Sequence, residues 1–132
     1  MRIAIVGSRD ITLPMLRALL AGIEGNIAIA GDKPTIISGG AAGVDSFAEG
    51  VAKCLGLPNI IFKPEWDKYG KSAGFKRNQK IVDAADRIVA FHLKDSPGTA
   101  DTIKRAKASE KPLTVYTYHA ESDAWIAEGF NV

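Results

Sequence analysis

Three short stretches of this 132-residue chain set glycine beside hydroxyl and charged side chains in a way that can hold an anion. They read Gly7-Ser8-Arg9-Asp10, Ser38-Gly39-Gly40-Ala41-Ala42-Gly43-Val44-Asp45, and Lys94-Asp95-Ser96-Pro97-Gly98-Thr99. Each follows a short apolar run, and the last two lead into helical pattern. Backbone N–H groups at the start of a helix are unpaired and carry a positive partial charge. Small residues let a phosphate come close to them. On this reading Gly39 to Gly43 form one cradle. Ser96, Gly98 and Thr99 form a second, with two hydroxyls, and Arg9 adds a fixed cation. Glycines of this kind serve equally as plain strand-to-helix turns. Arg77, followed by Asn78, is suited to a bidentate phosphate clamp.

Other groups near the same loops carry two readings each. Asp45 falls in the first turn of its helix, where it complements the helix dipole or accepts a hydrogen bond from a ribose hydroxyl. Asp10, Asp95 and Asp101 lie near the same crevice, and a pair of them would suit a nucleophile and an acid. His92 closes a strand on that side, although a lone histidine is more often structural. Cys54 lies on an apolar helical stripe and reads as core. From Lys63 to Lys80 the chain holds Lys63, Lys68, Lys71, Lys76, Arg77 and Lys80 against Glu65 and Asp67. That segment is +4 in a chain whose total is +2, so the remainder is −2. For most of these lysines a solvated face suffices. Trp66 and Tyr69 either stack on a base or close the loop over the core.

Several classes are excluded. The glycine loop after the second strand has Ser38 where a dinucleotide fingerprint needs its first glycine. Lys63 stands where that fingerprint needs a ribose-binding acid. Gly70-Lys71-Ser72 resembles the end of a P-loop, but Glu65 replaces the required first glycine. One cysteine rules out an intrachain disulfide framework and a cysteine zinc site, and suits a reducing, cytoplasmic setting. No metal site and no cofactor are expected. No apolar run approaches the roughly 20 residues of a membrane span, and the first residues do not read as a signal peptide. With 46% apolar and 24% charged residues, the composition is that of one globular domain, residues 1–132.

The elements that must position these groups alternate in type. Apolar, mostly β-branched runs at 3–6, 35–38, 59–62, 88–91 and 113–116 read as five strands. Helical spacing joins them: from about Thr12 to a stop at Gly25, from Val44 to Gly56, from Ala73 to Ala84, and from about Thr99 to Ser109. Glu65 to Ser72 reads as a polar loop. The tail from Glu121 to Phe130 reads as a short last helix docking Trp125 and Phe130. Strands separated by helices imply a parallel sheet with helices on both faces. The expected architecture is an α/β three-layer Rossmann-like sandwich, its five-stranded parallel sheet ordered 3-2-1-4-5. Ligands of such sheets bind beyond the carboxyl ends of the strands, where the strand order reverses.

Taken together, Gly7-Ser8-Arg9-Asp10, Ser38-Gly39-Gly40 with Gly43 and Asp45, Trp66, Gly74 with Arg77-Asn78, and Ser96 with Gly98-Thr99 resemble the SLOG superfamily, especially its YspA-type branch. The resemblance spans nearly the whole chain. It implies a Rossmann-like fold that binds a nucleotide or a derivative such as ADP-ribose. The ligand would touch Gly7, Ser8, Arg9, Ser38, Gly39, Gly40, Gly43, Asp45, Arg77, Asn78, Ser96, Gly98 and Thr99, with Trp66 stacking on a base. LOG-type members of the superfamily release a base from a nucleoside monophosphate. Arg77 and Gly98-Thr99 match their pattern, but Thr102 stands at the position of their catalytic glutamate, and Asp101 falls one residue early. The first reading is therefore a binding or sensor module. The alternative is an N-glycosidic-bond enzyme, a phosphoribohydrolase or deoxyribosyltransferase, for which Arg77, Asp101 and Asp45 are the candidate catalytic residues. DprA-type relatives bind single-stranded DNA, which makes nucleic acid a second, less favoured alternative. The resemblance also implies a homodimer, with Trp125, Ile126 and Phe130 either at its contact or packed on their own sheet.

Overall fold

Ile3, Ala4, Ile5 and Val6 are all buried, which puts their strand, β1 (Arg2–Gly7), in the middle of the sheet, covered on both faces. The computed structural model describes residues 1–93 and 96–131; Lys94, Asp95 and Val132 lie outside the described residues. After β1 the chain forms α1 (Leu13–Ile29), β2 (Thr35–Ser38), α2 (Val44–Cys54), β3 (Asn59–Ile61), the single-turn α3 (Trp66–Tyr69) with a 3-10 turn (Gly70–Ser72), α4 (Ala73–Ala84), β4 (Arg87–His92), α5 (Pro97–Ala108), β5 (Leu113–His119) and β6 (Ala124–Phe130). No described helix is long and apolar enough to cross a membrane.

The sheet has six strands in the order β3-β2-β1-β4-β5-β6. The first five are parallel in the expected order, and β6 is antiparallel to β5. The sheet is therefore mixed, and the expected tail helix is a strand instead. A turn returns the chain at Ala120 to Asp123, where Asp123 N–H donates to Ala120 O and the Tyr118 hydroxyl donates to the Asp123 carboxylate. Trp125 then pairs with Tyr118 and Phe130 with Leu113. These aromatics lie an odd number of residues apart, so they point to opposite faces. Trp125 meets Phe91 edge-on, and Phe130 packs on the other core cluster.

Two apolar layers flank the sheet. Ile3, Ile5, Ile36, Val89 and Phe91 meet Leu19, Ile23 and Ile27 of α1 and Val44, Ala48 and Ala52 of α2. Ala4, Val6, Ile37, Ile88 and Ala90 meet Ile81 and Val82 of α4 and Ala106 of α5. The three-layer Rossmann-like arrangement follows from that alternation.

Three further expectations change. Helix α1 does not stop at Gly25, because Asn26 and Ile27 in the next turn are buried. Asn26 Nδ2 donates to Gly22 O and to the Tyr116 hydroxyl. That burial outweighs the cost of about 1 kcal/mol for a solvent-facing glycine within a helix. Cys54 is exposed rather than core; it sits two residues past buried Ala52, about 200° around the helix. The Glu65–Ser72 loop contains the short α3 and the 3-10 turn.

Candidate functional site

The carboxyl end of β1 meets the N-termini of α2 and α5 and one side of α4 around a cleft of about 360 Å³. Two glycines allow its walls to close. A Cβ on Gly43 would fall 2.4 Å from Ser8 O and 2.6 Å from Arg9 O, at a φ of +80°. A Cβ on Gly7 would fall 2.5 Å from Phe91 O. Both positions need glycine because backbone passes directly against them. Val44 N–H donates to Ser8 O and Ser8 N–H donates to Phe91 O, so the loop after β1 is joined through main chain to the start of α2 and to β4.

Asp45, only 4% exposed, ties the ends of β1 and β2 together. Its Oδ1 accepts from Gly7 N–H at 3.3 Å and its Oδ2 from Gly39 N–H at 2.7 Å. Burial pushes the carboxyl up to about 6, although the Gly39 amide, the Arg77 charge and the Gly7 and Ala41 amides favour its ionised form. Arg77, on α4, reaches across: its Nη1 donates to Gly39 O at 2.6 Å and its Nε to Asn78 Oδ1 at 2.9 Å. Burial pulls the guanidinium below its ordinary value; Asp45 opposes this and the charge of Arg9 adds to it. The described residues form two ion pairs, Lys80–Glu65 and Arg105–Asp101. Arg9 and Arg77 belong to neither.

The wall formed by α5 is open at its N-terminus. Ser96 occupies the N-cap position but makes no side-chain cap bond, and no acid lies in the first turn. Its hydroxyl is turned instead to the Ser8 hydroxyl, which also accepts from Leu93 N–H at 2.9 Å. Thr99 and Thr102 are buried, and Thr102 donates to Gly98 O at 3.2 Å.

Of the residues singled out in the sequence, Gly7, Ser8, Arg9, Asp10, Asp45, Arg77, Asn78, Ser96, Gly98 and Thr99 line this cleft. Ser38, Gly39, Gly40 and Gly43 build the loop behind it. Ser38 donates to Glu49 at 2.6 Å, and Gly40 lies beneath Ile61 and the Lys63 stem. Asp101 is held by Asn78 and Arg105. His92 and Trp66 do not line the cleft. Trp66 is 54% exposed, with its ring edge 3.6 Å from where a Cβ on Gly74 would lie. Asp95 lies outside the described residues. The cleft also takes Ala41 of the expected cradle, Thr102 at the position of the LOG-type glutamate, and Val6, Ile81 and Pro97, which the sequence did not point to as site residues. Ile81 had a signal, since it stands one helical turn beyond Arg77.

No protein-family model matches the chain. The Gene 61 protein of Mycobacterium phage D29 is 33% identical over 84 residues, which span 59% of this chain and 67% of that protein. Among solved structures, DNA processing protein A (DprA) of Streptococcus pneumoniae superposes with a TM-score of 0.69 at 20% identity, over 90% of this chain and 50% of that one. DprA of Helicobacter pylori, described for its single-stranded DNA binding mode, gives 0.67 at 22%, over 87% and 64%. TM1055, a structural genomics target, gives 0.66 at 20%, over 85% and 71%. The chain thus spans about half to two thirds of the two DprA proteins, and at these identities the likeness is one of fold. On the sequence match, carried by a Rossmann-like fold of the kind found in DprA and TM1055, the chain belongs to the family of the phage D29 Gene 61 protein.

Proposed function

We propose that the protein is a binding module for a nucleotide or a nucleotide derivative of the ADP-ribose kind, whose phosphate enters the cleft between β1 and α5. One observation carries this reading: Arg9 and Arg77, which form no ion pair among the described residues, line the same cleft as a helix N-terminus whose capping serine is turned away. An anion there meets the α5 amides, the hydroxyls of Ser8, Ser96 and Thr99, and the guanidiniums of Arg9 and Arg77. The motifs shared with the YspA-type branch agree with it. Binding is favoured over base release because the two carboxylates named as candidate catalytic residues are engaged. Asp45 holds two amides and Asp101 holds Asn78 and Arg105. Thr102 lies where LOG-type enzymes have their acid, so that position lacks the carboxylate an oxocarbenium-like transition state needs.

The test is thermal melting with AMP, ADP-ribose or NAD, with each mixture assayed for released base. A ligand at about 100 times its Kd adds about 2.7 kcal/mol to stability. The expected outcome is a raised melting temperature without free base, lost in Arg77→Ala. Base release would favour the enzyme; no shift with any of the three would contradict the module.

A second reading, single-stranded nucleic acid, is supported by exposed Trp66 and by the Lys63 stem crossing Gly40 at the end of β2. The single-stranded DNA binding of Helicobacter pylori DprA agrees with it. Oligonucleotide binding that weakens steeply with salt, without any mononucleotide effect, would select it.

A further inference from the structure

Arg77 does not stand alone at the cleft. Its Nε donates to Asn78 Oδ1, and Asn78 Nδ2 donates to Asp101 Oδ2 at 3.0 Å and to Gly98 O at 3.4 Å. The same Asp101 oxygen accepts from Arg105 Nε at 2.8 Å, and Arg105 Nη1 donates to Gln79 Oε1 at 3.0 Å. A chain of side chains therefore runs from the cleft, between α4 and α5, to the outer surface. Its polarity is self-consistent. An amide has its acceptor and its donors on opposite arms, so an Asn78 whose oxygen serves Arg77 has its nitrogen free for a carboxylate. Asn78 is 5% exposed, so turning it over would leave two buried mismatches. Arg77 spends Nε on Asn78 and one Nη1 proton on Gly39 O; its other N–H groups have no protein partner among the described residues.

Resting on the phosphate reading of the cleft, we propose that Asp101, braced by Arg105, is a positioning residue for the anion site. It fixes the Asn78 amide, which fixes the plane of the Arg77 guanidinium, so part of the affinity is set by a carboxylate that does not touch the ligand. Arg105 has a second part in this. An uncompensated carboxylate one residue away from Arg77 would repel an arriving phosphate; paired with Arg105, Asp101 orients without adding net negative charge. Asp101 is in this account neither a nucleophile nor an acid.

The test reads two quantities in the same variants: exchange of the Arg77 Nε proton with water, by NMR on the ligand-free protein, and AMP affinity, by calorimetry. Asp101→Ala is expected to speed the exchange about tenfold and to weaken AMP about tenfold, the usual loss of a charge-assisted hydrogen bond. Asp101→Asn keeps an oxygen for the Asn78 amide and is expected to stay within about threefold of wild type in both. A side chain needed only for stability would move melting temperature without moving the Arg77 proton. Asp101→Ser, whose hydroxyl is too short to reach Asn78, replaces the alanine variant should that one not fold. Unchanged exchange and unchanged AMP affinity in a folded Asp101→Ala or Asp101→Ser protein overturn the relay while leaving the phosphate site standing. AMP binding that is absent in wild type, or equal in wild type and Arg77→Ala, overturns the phosphate site and the relay with it.

Discussion

Asp45 is a buried carboxylate beside an arginine, and the balance between burial and partners has a sign that can be measured. Its folded value, about 6, lies above the ordinary 3.8. A raised carboxyl stabilises the fold fully below its unfolded value, and that contribution is lost as pH rises through the folded one. The stability difference between wild type and the non-titrating Asp45→Asn should therefore fall by about 2 kcal/mol between about pH 4 and pH 7. Urea unfolding at both values checks this, and a flat difference contradicts it. Gly43 offers a steric counterpart. Gly43→Ala puts a Cβ against Ser8 O and Arg9 O at a left-handed φ, so a loss of about 3 kcal/mol or more is expected by the same method. That Gly7, Arg9, Ser96 and Gly98 would meet at one crevice was legible in the sequence, because their loops follow strands on the same side of the expected sheet. The duty of Asp45 was not. Sequence offered a helix-dipole or ribose role, whereas its oxygens accept the amides of Gly7 and Gly39, and that depends on how two loops pack.

Among the elements, the five parallel strands were legible because both of their faces are apolar, and their order followed from the crossover rules. Strand β6 was not. Ala124 to Phe130 is exposed over most of its length, and with only Trp125 and Phe130 to anchor it, strand and helix spacings were equally open. The partner decides: the free edge of β5 supplies main-chain bonds, and Trp125 finds Phe91, itself stacked on Tyr116 with ring centroids 4.6 Å apart. Trp125→Ala should therefore cost about 3 kcal/mol in urea unfolding, while Ile126→Ala, at an exposed position, should stay within about 0.5 kcal/mol. Equal effects would mean that β6 is held by its backbone alone. Helix α1 teaches the same lesson in reverse, since Gly25 was a stop only until the burial of Ile27 was counted.

At the scale of the molecule, a formal charge of +2 conceals an uneven distribution. The basic stretch from Lys63 to Lys80 contains Arg77, which turns inward to the cleft, while Lys68 and Lys76 gather over Tyr69 on the outside. A small anion and a long polyanion would use different parts of that surface. Titration of the ¹⁵N-labelled protein with AMP, followed by amide NMR, separates them most directly. Saturable shifts are expected at Ser8, Arg9, Gly98 and Thr99, with Arg77→Ala abolishing them and the amides of Lys68, Lys71 and Lys76 unmoved. Shifts confined to the Lys63–Lys80 surface, or no saturable shift at Ser8 and Thr99, would contradict the phosphate reading of the cleft.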